Sequence, residues 1–398
     1  MSGTKKVIDV VNRVSAANYK PLPVVLCEGE GIWVKDIEGK RYMDMLAAYS
    51  SLNQGHRHPK IIKALKEQAD KITVTSRAFH NDQMGDFLEK LCKMSGFAKA
   101  LPMNTGAEAV ETCLKAARKW ANKTKGIVEG EIIACIDNFH GRTITAISFS
   151  SEHQYRDGFG PFTPGFVVVP YGCIKAIEAA ITDKTIGVLL EPIQGEAGVI
   201  LPPDGYLRDI RQVCDKHKIL MMLDEIQTGF GRTGKFFAFE YDGIRPDVVA
   251  VGKALGGGVY PVSAMLSGDE VMAVFRPGDH GSTFGGNPLG AAVGKAALEV
   301  IEEEGLTQKS FELGSYFKEE LEKINSPFVK EIRGRGLMIG VEIKEEHGEA
   351  RPYCEKLMEL GLLCKETHQQ TIRFAPPLVI SKEEIDQALV EIRKVLLP

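Results

Sequence analysis

The chain has 398 residues, 44% of them hydrophobic, which is enough to bury a large core and suggests two domains. Its formal charge of -4 shows no basic stripe and argues against a general nucleic-acid binder, and its eight cysteines contain no C-x-x-C pair, which fits a reducing compartment and gives no zinc signature. No apolar run approaches a membrane span of about 20 residues, and the opening MSGTKKVIDVVNR lacks a signal-peptide core, so a cytoplasmic location is expected and no membrane partner.

In chain order, residues 1–50 read as a short helix, a proline-extended linker at 18–23 and a hairpin turning at 36–40. A loop at 47–59 follows. Its His56 and His58 lack an acidic or cysteine partner nearby, so structural hydrogen bonds are expected rather than a metal. Residues 59–70 read as a helix. From about 80 to 285, helical segments alternate with short apolar runs at 99–103, 131–137, 166–170, 186–190, 219–223, 248–251 and 261–266. That pattern predicts an α/β fold built on a seven-stranded, mainly parallel, doubly wound sheet.

Within this region Thr105 with Glu108 forms a capping box for a helix over 107–123. A capped helix start after a glycine-containing loop is also a ready anion site. The 139–143 and 191–196 segments follow strand ends. Phe139 would suit the face of a flat ring, Arg142 a carboxylate, and one of Glu191 and Glu196 an arginine. From 288 the pattern changes to helices at 288–303 and 307–324, strands within 330–343, 362–365 and 371–374, and a last helix capped by Ser381 and Glu384. Glu302 to Glu304 read as a solvated helix end. The expected division is 1–50, joining the small domain; 51–287, a large domain; and 288–398, a smaller α+β domain.

The chain is organised around 219–258. Its two apolar runs end in Asp224 and Gly252-Lys253, at the strand edge where parallel sheets bind ligands. Taken alone, Asp224 reads as a turn residue and Lys253 as a solvated strand end. Together they suit pyridoxal 5'-phosphate, which needs a lysine for its aldehyde and an acid for its ring nitrogen. The same stretch holds Gly229, Gly231 and Gly234 in a dinucleotide-like pattern, and Gly229 to Lys235 nearly match a P-loop. Both motifs require a strand immediately before and a helix immediately after. Residues 225–228 intervene, and Phe236 stands where a magnesium-binding Ser or Thr belongs. A P-loop nucleotide-binding protein is therefore the rival from a different class.

Five motifs in order carry a resemblance: NTGAEA at 104–109, FHGRT at 139–143, DEIQTG at 224–229, GKALGGG at 252–258 and GSTFGGNP at 281–288. They resemble the class III aminotransferases, fold type I pyridoxal-phosphate enzymes, over nearly the whole chain. The resemblance implies that Lys253 forms the imine with the cofactor and then moves a proton. Asp224 would pair with the ring nitrogen, Gln227 would reach the ring hydroxyl and Phe139 would stack on the ring. Thr105, Gly106 and Ala107 would form the phosphate cup. Ser282 and Thr283 would complete it, with Thr283 reaching the neighbouring subunit's phosphate in a homodimer with shared sites.

Segments 18–23, 49–56, 259–263 and 373–378 are similar to the branch that acts on the δ-amino group of L-ornithine with 2-oxoglutarate, giving glutamate. His140 departs from it, since some members of that branch carry tryptophan there. By the same resemblance Tyr19 and Arg142 hold the α-groups of ornithine, Arg373 takes the α-carboxylate of the keto acid, Glu196 masks Arg373 while ornithine is bound, and Tyr49 shapes the pocket. Lys253, Asp224 and Glu196 are the expected catalytic set, with no metal. N-acetylornithine or 4-aminobutyrate is the alternative substrate within the class.

Overall fold

The computed structural model describes residues 3–398. Its central sheet has seven strands in the order Lys99–Met103, Ser263–Ser267, Val248–Val251, Leu220–Asp224, Thr185–Leu190, Glu131–Cys135 and Phe166–Val169. All pairings are parallel except those of Ser263–Ser267, which runs against both its neighbours. Each of the seven strands read for this sheet from the sequence is present. The 219–223 run is shifted by one, which makes Asp224 the last residue of its strand.

Parallel strands covered on both faces are apolar throughout rather than alternating. Accordingly, every residue of Thr185–Leu190, Leu220–Asp224 and Val248–Val251 is buried. Within Leu220–Asp224, Met221 and Leu223 enter one core while Leu220 and Met222 enter the other. The helix Gly106–Lys125 supplies much of the second core, including Trp120 and a row of alanines.

Three N-terminal strands, Leu26–Glu30, Trp33–Asp36 and Arg41–Asp44, form a sheet whose fourth member is Leu362–Leu363, parallel to Arg41–Asp44. Trp33 Nε1 also donates to Glu384 Oε1 at 2.9 Å, so the two ends of the chain are packed together. A second four-stranded sheet, antiparallel, joins Val329–Arg335, Met338–Ile343, Thr371–Phe374 and Lys365–Thr367.

One local reading changes. The 47–59 loop begins with a turn of left-handed backbone: Ala47, Ala48, Tyr49 and Ser50 have φ of 49, 44, 59 and 71°. Asp44 Oδ1 fixes its entry by accepting from the Leu46 and Ala47 N–H groups, both at 2.9 Å. The acidic run at 302–304 is the solvated helix end expected, and its carboxylates also make surface ion pairs. Glu302 bonds Lys90, while Glu303 and Glu304 reach Lys60 and His58, each at 2.7 Å. His56 pairs with Asp44 at 2.7 Å, so each histidine has a carboxylate brought from elsewhere in the chain.

Candidate active site

Asp224 and Lys253 come from neighbouring strands, with Asp224 in register with Ala250 and Lys253 three residues further on. Lys253 has φ +44°, a left-handed conformation in which a non-glycine residue is strained. Burial pushes its ammonium down to about 8, against the opposing pull of Glu196, Asp224 and Glu191. An amine with that pKa has a far larger neutral fraction near physiological pH than an ordinary lysine, and the neutral form is the one that acts as nucleophile and proton carrier.

Both oxygens of Asp224 are engaged. Oδ1 accepts from the Ile226 N–H at 3.0 Å and Oδ2 meets His140 Nδ1 at 2.8 Å. His140 is buried, and its Nε2 has no partner. Burial disfavours its charged form, but the Asp224 hydrogen bond outweighs that and raises its pKa. This histidine, noted in the sequence only as a departure, is the direct partner of the carboxylate expected at the ring nitrogen. Its place beside Phe139 was visible; its contact with a residue 84 positions away was not.

Next to them is a buried arginine. Arg373 donates through Nη1 to Glu196 Oε1 at 2.7 Å and to Gln227 Oε1 at 3.2 Å, while Gln227 Nε2 donates to Glu196 Oε1 at 3.1 Å. Burial raises Glu196, but Arg373 and Lys253 more than offset it and bring the carboxyl to about 2. Gln227, the residue expected at the ring hydroxyl, is also the third member of this gate. Arg373 Nε and Nη2 are buried without a partner, two donors on one fork. The Tyr49 ring lies 5.3 Å from the guanidinium. Tyr19 is 77% exposed.

Arg142 is exposed, and its guanidinium sits 3.5 Å from the Tyr155 ring centroid and 5.5 Å from that of Phe139. Tyr155 was not anticipated from sequence. It lies on a short helix, His153–Arg156, whose packing on the 139–143 loop only the fold determines.

The capping box at Thr105 is present: Thr105 Oγ1 accepts from Glu108 N at 3.3 Å and Glu108 Oε2 accepts from Thr105 N at 2.7 Å. The N–H groups of Gly106 and Ala107 open the helix and have no acceptor within it. A Cβ at Gly106 would come within 3.1 Å of Ile226 Cδ1, so the helix start is pressed against the Asp224 loop. Ser282 Oγ accepts from Asn104 Nδ2 at 2.8 Å beside this cup, and Thr283 is exposed.

These features fit pyridoxal 5'-phosphate. A helix start offers donors to a phosphate, a buried carboxylate waits at a strand end, a half-buried lysine has its pKa lowered to about 8, and an aromatic ring stands on the next loop. The P-loop reading fails on structure. No helix follows Gly229 to Lys235, only a short 3-10 turn at Ala238–Asp242. The glycines serve close packing instead: a Cβ on Gly231 would meet Thr307 Oγ1 at 3.0 Å and one on Gly234 would meet Phe311 Cα at 2.9 Å.

Known proteins agree with this geometry. Residues 14–396 match the aminotransferase class-III family. The chain is 60% identical to the ornithine aminotransferase of Brevibacillus brevis, over 100% of this chain and 99% of the relative. It is similar to a solved ornithine aminotransferase of Toxoplasma gondii, with 43% identity and TM-score 0.97, over 99% of this chain and 94% of that one. It is also similar to a solved acetylornithine aminotransferase of Elizabethkingia anophelis, with 43% identity and TM-score 0.89, over 100% and 99%.

Proposed function

The chain belongs to the class-III aminotransferases, and from that premise we propose that it transfers the δ-amino group of L-ornithine to 2-oxoglutarate with pyridoxal 5'-phosphate as cofactor. The products are glutamate and glutamate-5-semialdehyde, which closes to pyrroline-5-carboxylate. When bound, the cofactor supplies an electron sink for the carbon bearing the reacting amine.

The observation that carries the substrate reading is the Glu196–Arg373 pair at 2.7 Å with two guanidinium donors left over. The site must take a substrate whose reacting end is an amine and then one whose reacting end carries a carboxylate. An arginine paired with Glu196 offers no net charge to the first. Released from Glu196, it offers a fork to the α-carboxylate of the second. An unpaired buried arginine would be costly, which accounts for the masking acid. Arg142, held over Tyr155, grips the remote carboxylate of either substrate, with Tyr19 and Tyr49 bordering the ornithine chain.

Lys253 Nζ, neutral, takes the proton from the reacting carbon and returns it. Asp224 holds the ring-nitrogen proton, with His140 fixing the carboxylate's orientation. Phe139 covers one face of the ring and excludes water there. Thr105, Gly106 and Ala107 hold the phosphate, and Gln227, from its place in the gate, reaches the ring hydroxyl.

The enzyme acts as a homodimer with shared sites. Thr283 and Phe284 are exposed in the single chain, and Thr283 reaches the phosphate held by the second copy, with Ser282 bracing the loop. The division into 1–50 with 288–398 as one domain and 51–287 as the other rests on the shared N- and C-terminal sheet. No helix among the described residues is long and apolar enough to cross a membrane, and the cytoplasm is the proposed location.

The test is the visible spectrum of the purified holoenzyme on mixing with L-ornithine or, in parallel, N-acetylornithine. Rapid bleaching by ornithine alone is expected. Bleaching by N-acetylornithine instead would keep the family and overturn the substrate.

A further inference from the structure

Glu191 is the first residue past the buried strand Thr185–Leu190, and it is itself buried. Its side chain is shared between two loops. Oε2 accepts from the Phe139 N–H at 3.0 Å, and Oε1 accepts from the Gly195 N–H at 3.4 Å. The first loop carries Phe139, then His140 on Asp224 and Arg142 over Tyr155. The second carries Glu196, the acid that masks Arg373. The Glu191 backbone is fixed as well, because Tyr171 Oη donates to its carbonyl at 3.1 Å and to that of Pro192 at 3.0 Å.

We propose that Glu191 is a positioning residue that ties the carboxylate-selecting gate to the loop covering the cofactor ring, one carboxylate oxygen to each. The inference rests on the gate and ring roles proposed above for Glu196 and Phe139. A carboxyl group can accept an N–H at each of its two oxygens, whereas a glutamine of the same shape offers one acceptor and one donor group. Burying a carboxylate is expensive, and the chain places one where a neutral amide would fit by shape. Two backbone donors facing inward from opposite sides explain the choice.

Neither loop is held by Glu191 alone. Gln194 Nε2 donates to Ile136 O at 2.7 Å, and Asn138 Nδ2 donates to Cys135 O at 2.6 Å. These bonds anchor the loop bases. Glu191 instead reaches the residues next to the functional side chains, so it sets where Glu196 and Phe139 stand relative to each other. The 195–196 backbone has little freedom to adapt, since a Cβ on Gly195 would overlap Gln227 Oε1 at 1.9 Å. A slip of this loop would therefore be felt at Gln227 and through it at Arg373.

The test is Glu191→Gln in the holoenzyme, with the two half-reactions followed separately. The single amide oxygen should stay with Phe139, the shorter bond, leaving the amide NH2 facing the Gly195 N–H. We expect the ornithine half-reaction to remain within about threefold and the KM for 2-oxoglutarate to rise at least about tenfold. Amide exchange should quicken at Gly195 and hold at Phe139. A merely structural carboxyl would depress both half-reactions alike, and that result, or no change in either, overturns the proposal. Should the variant not fold, exchange in the unmodified holoenzyme decides. Similar protection of the Phe139 and Gly195 amides under conditions of common opening supports the tie, and clearly different protection sinks it. If ornithine were not a substrate at all, the exchange measurement would still judge the tie on its own.

Discussion

At the scale of single residues, the site runs on a displaced charge at Lys253 and a masked one at Arg373. Burial drives the Lys253 ammonium down to about 8, because an enclosed site penalises the charged form. The sign follows: below that pH the amine is protonated and cannot attack, and above it the amine is free. Capture of pyridoxal 5'-phosphate by the cofactor-free protein, followed by stopped-flow absorbance, should therefore quicken about tenfold per pH unit below 8 and level off above it. A rate that kept climbing toward the ordinary lysine value would contradict the burial argument. Arg373→Ala should separate the two substrates: kcat/KM for 2-oxoglutarate should fall by about 100-fold, and the ornithine half-reaction should change by only a few-fold. Equal losses in single-turnover assays would mean that Arg373 does not discriminate. Asp224 and Lys253 were legible in the sequence because each ends a short apolar run. His140 and Tyr155 were not read as site residues, and Glu191 only as one of two acids that could answer an arginine, because their roles come from partners that only the sheet brings near.

At the scale of elements, the strand ends and the Thr105 cap are local events, written in apolar runs and in a four-residue pattern, and they could be read directly. The turn at 47–50 could not. Nothing in Ala-Ala-Tyr-Ser favours left-handed backbone, which costs L-residues roughly 1–2 kcal/mol each. It persists because Asp44 caps its start and the Ser51 N–H bonds Ala47 O at 2.9 Å. Ala48, exposed at φ 44°, makes no use of its methyl group in the core. Ala48→Gly should therefore stabilise the protein by about 1 kcal/mol, seen as a higher denaturant midpoint, without altering ornithine turnover. A lower midpoint would show that the methyl group does more than strain the turn.

At the scale of the molecule, Arg232 joins three parts of the chain. It is fully buried and donates to Leu337 O at 2.8 Å and to Pro376 O and Asn53 Oδ1, both at 2.6 Å. Burial brings its guanidinium down to about 9 with no carboxylate in contact. Arg232→Ala would leave those acceptors unsatisfied in the interior and open a cavity. A loss of roughly 3–5 kcal/mol is expected by chemical denaturation, with the seven-stranded sheet itself retained by circular dichroism. A loss under 1 kcal/mol would show that the three parts hold together without it. The near-P-loop glycines around Arg232 misdirect a sequence reading because close packing and phosphate binding ask for the same residue type. The strand Arg41–Asp44 pairs in parallel with Leu362–Leu363, and the turn bearing Tyr49 begins three residues later. On the ribosome, that early strand must wait for nearly the whole chain to be made before its sheet can close. A nascent chain ending before Leu362 already contains Lys253, Asp224 and the phosphate cup, but not yet Arg373, the arginine that faces Tyr49. The order of synthesis thus delivers the chemistry first and the choice of substrate last.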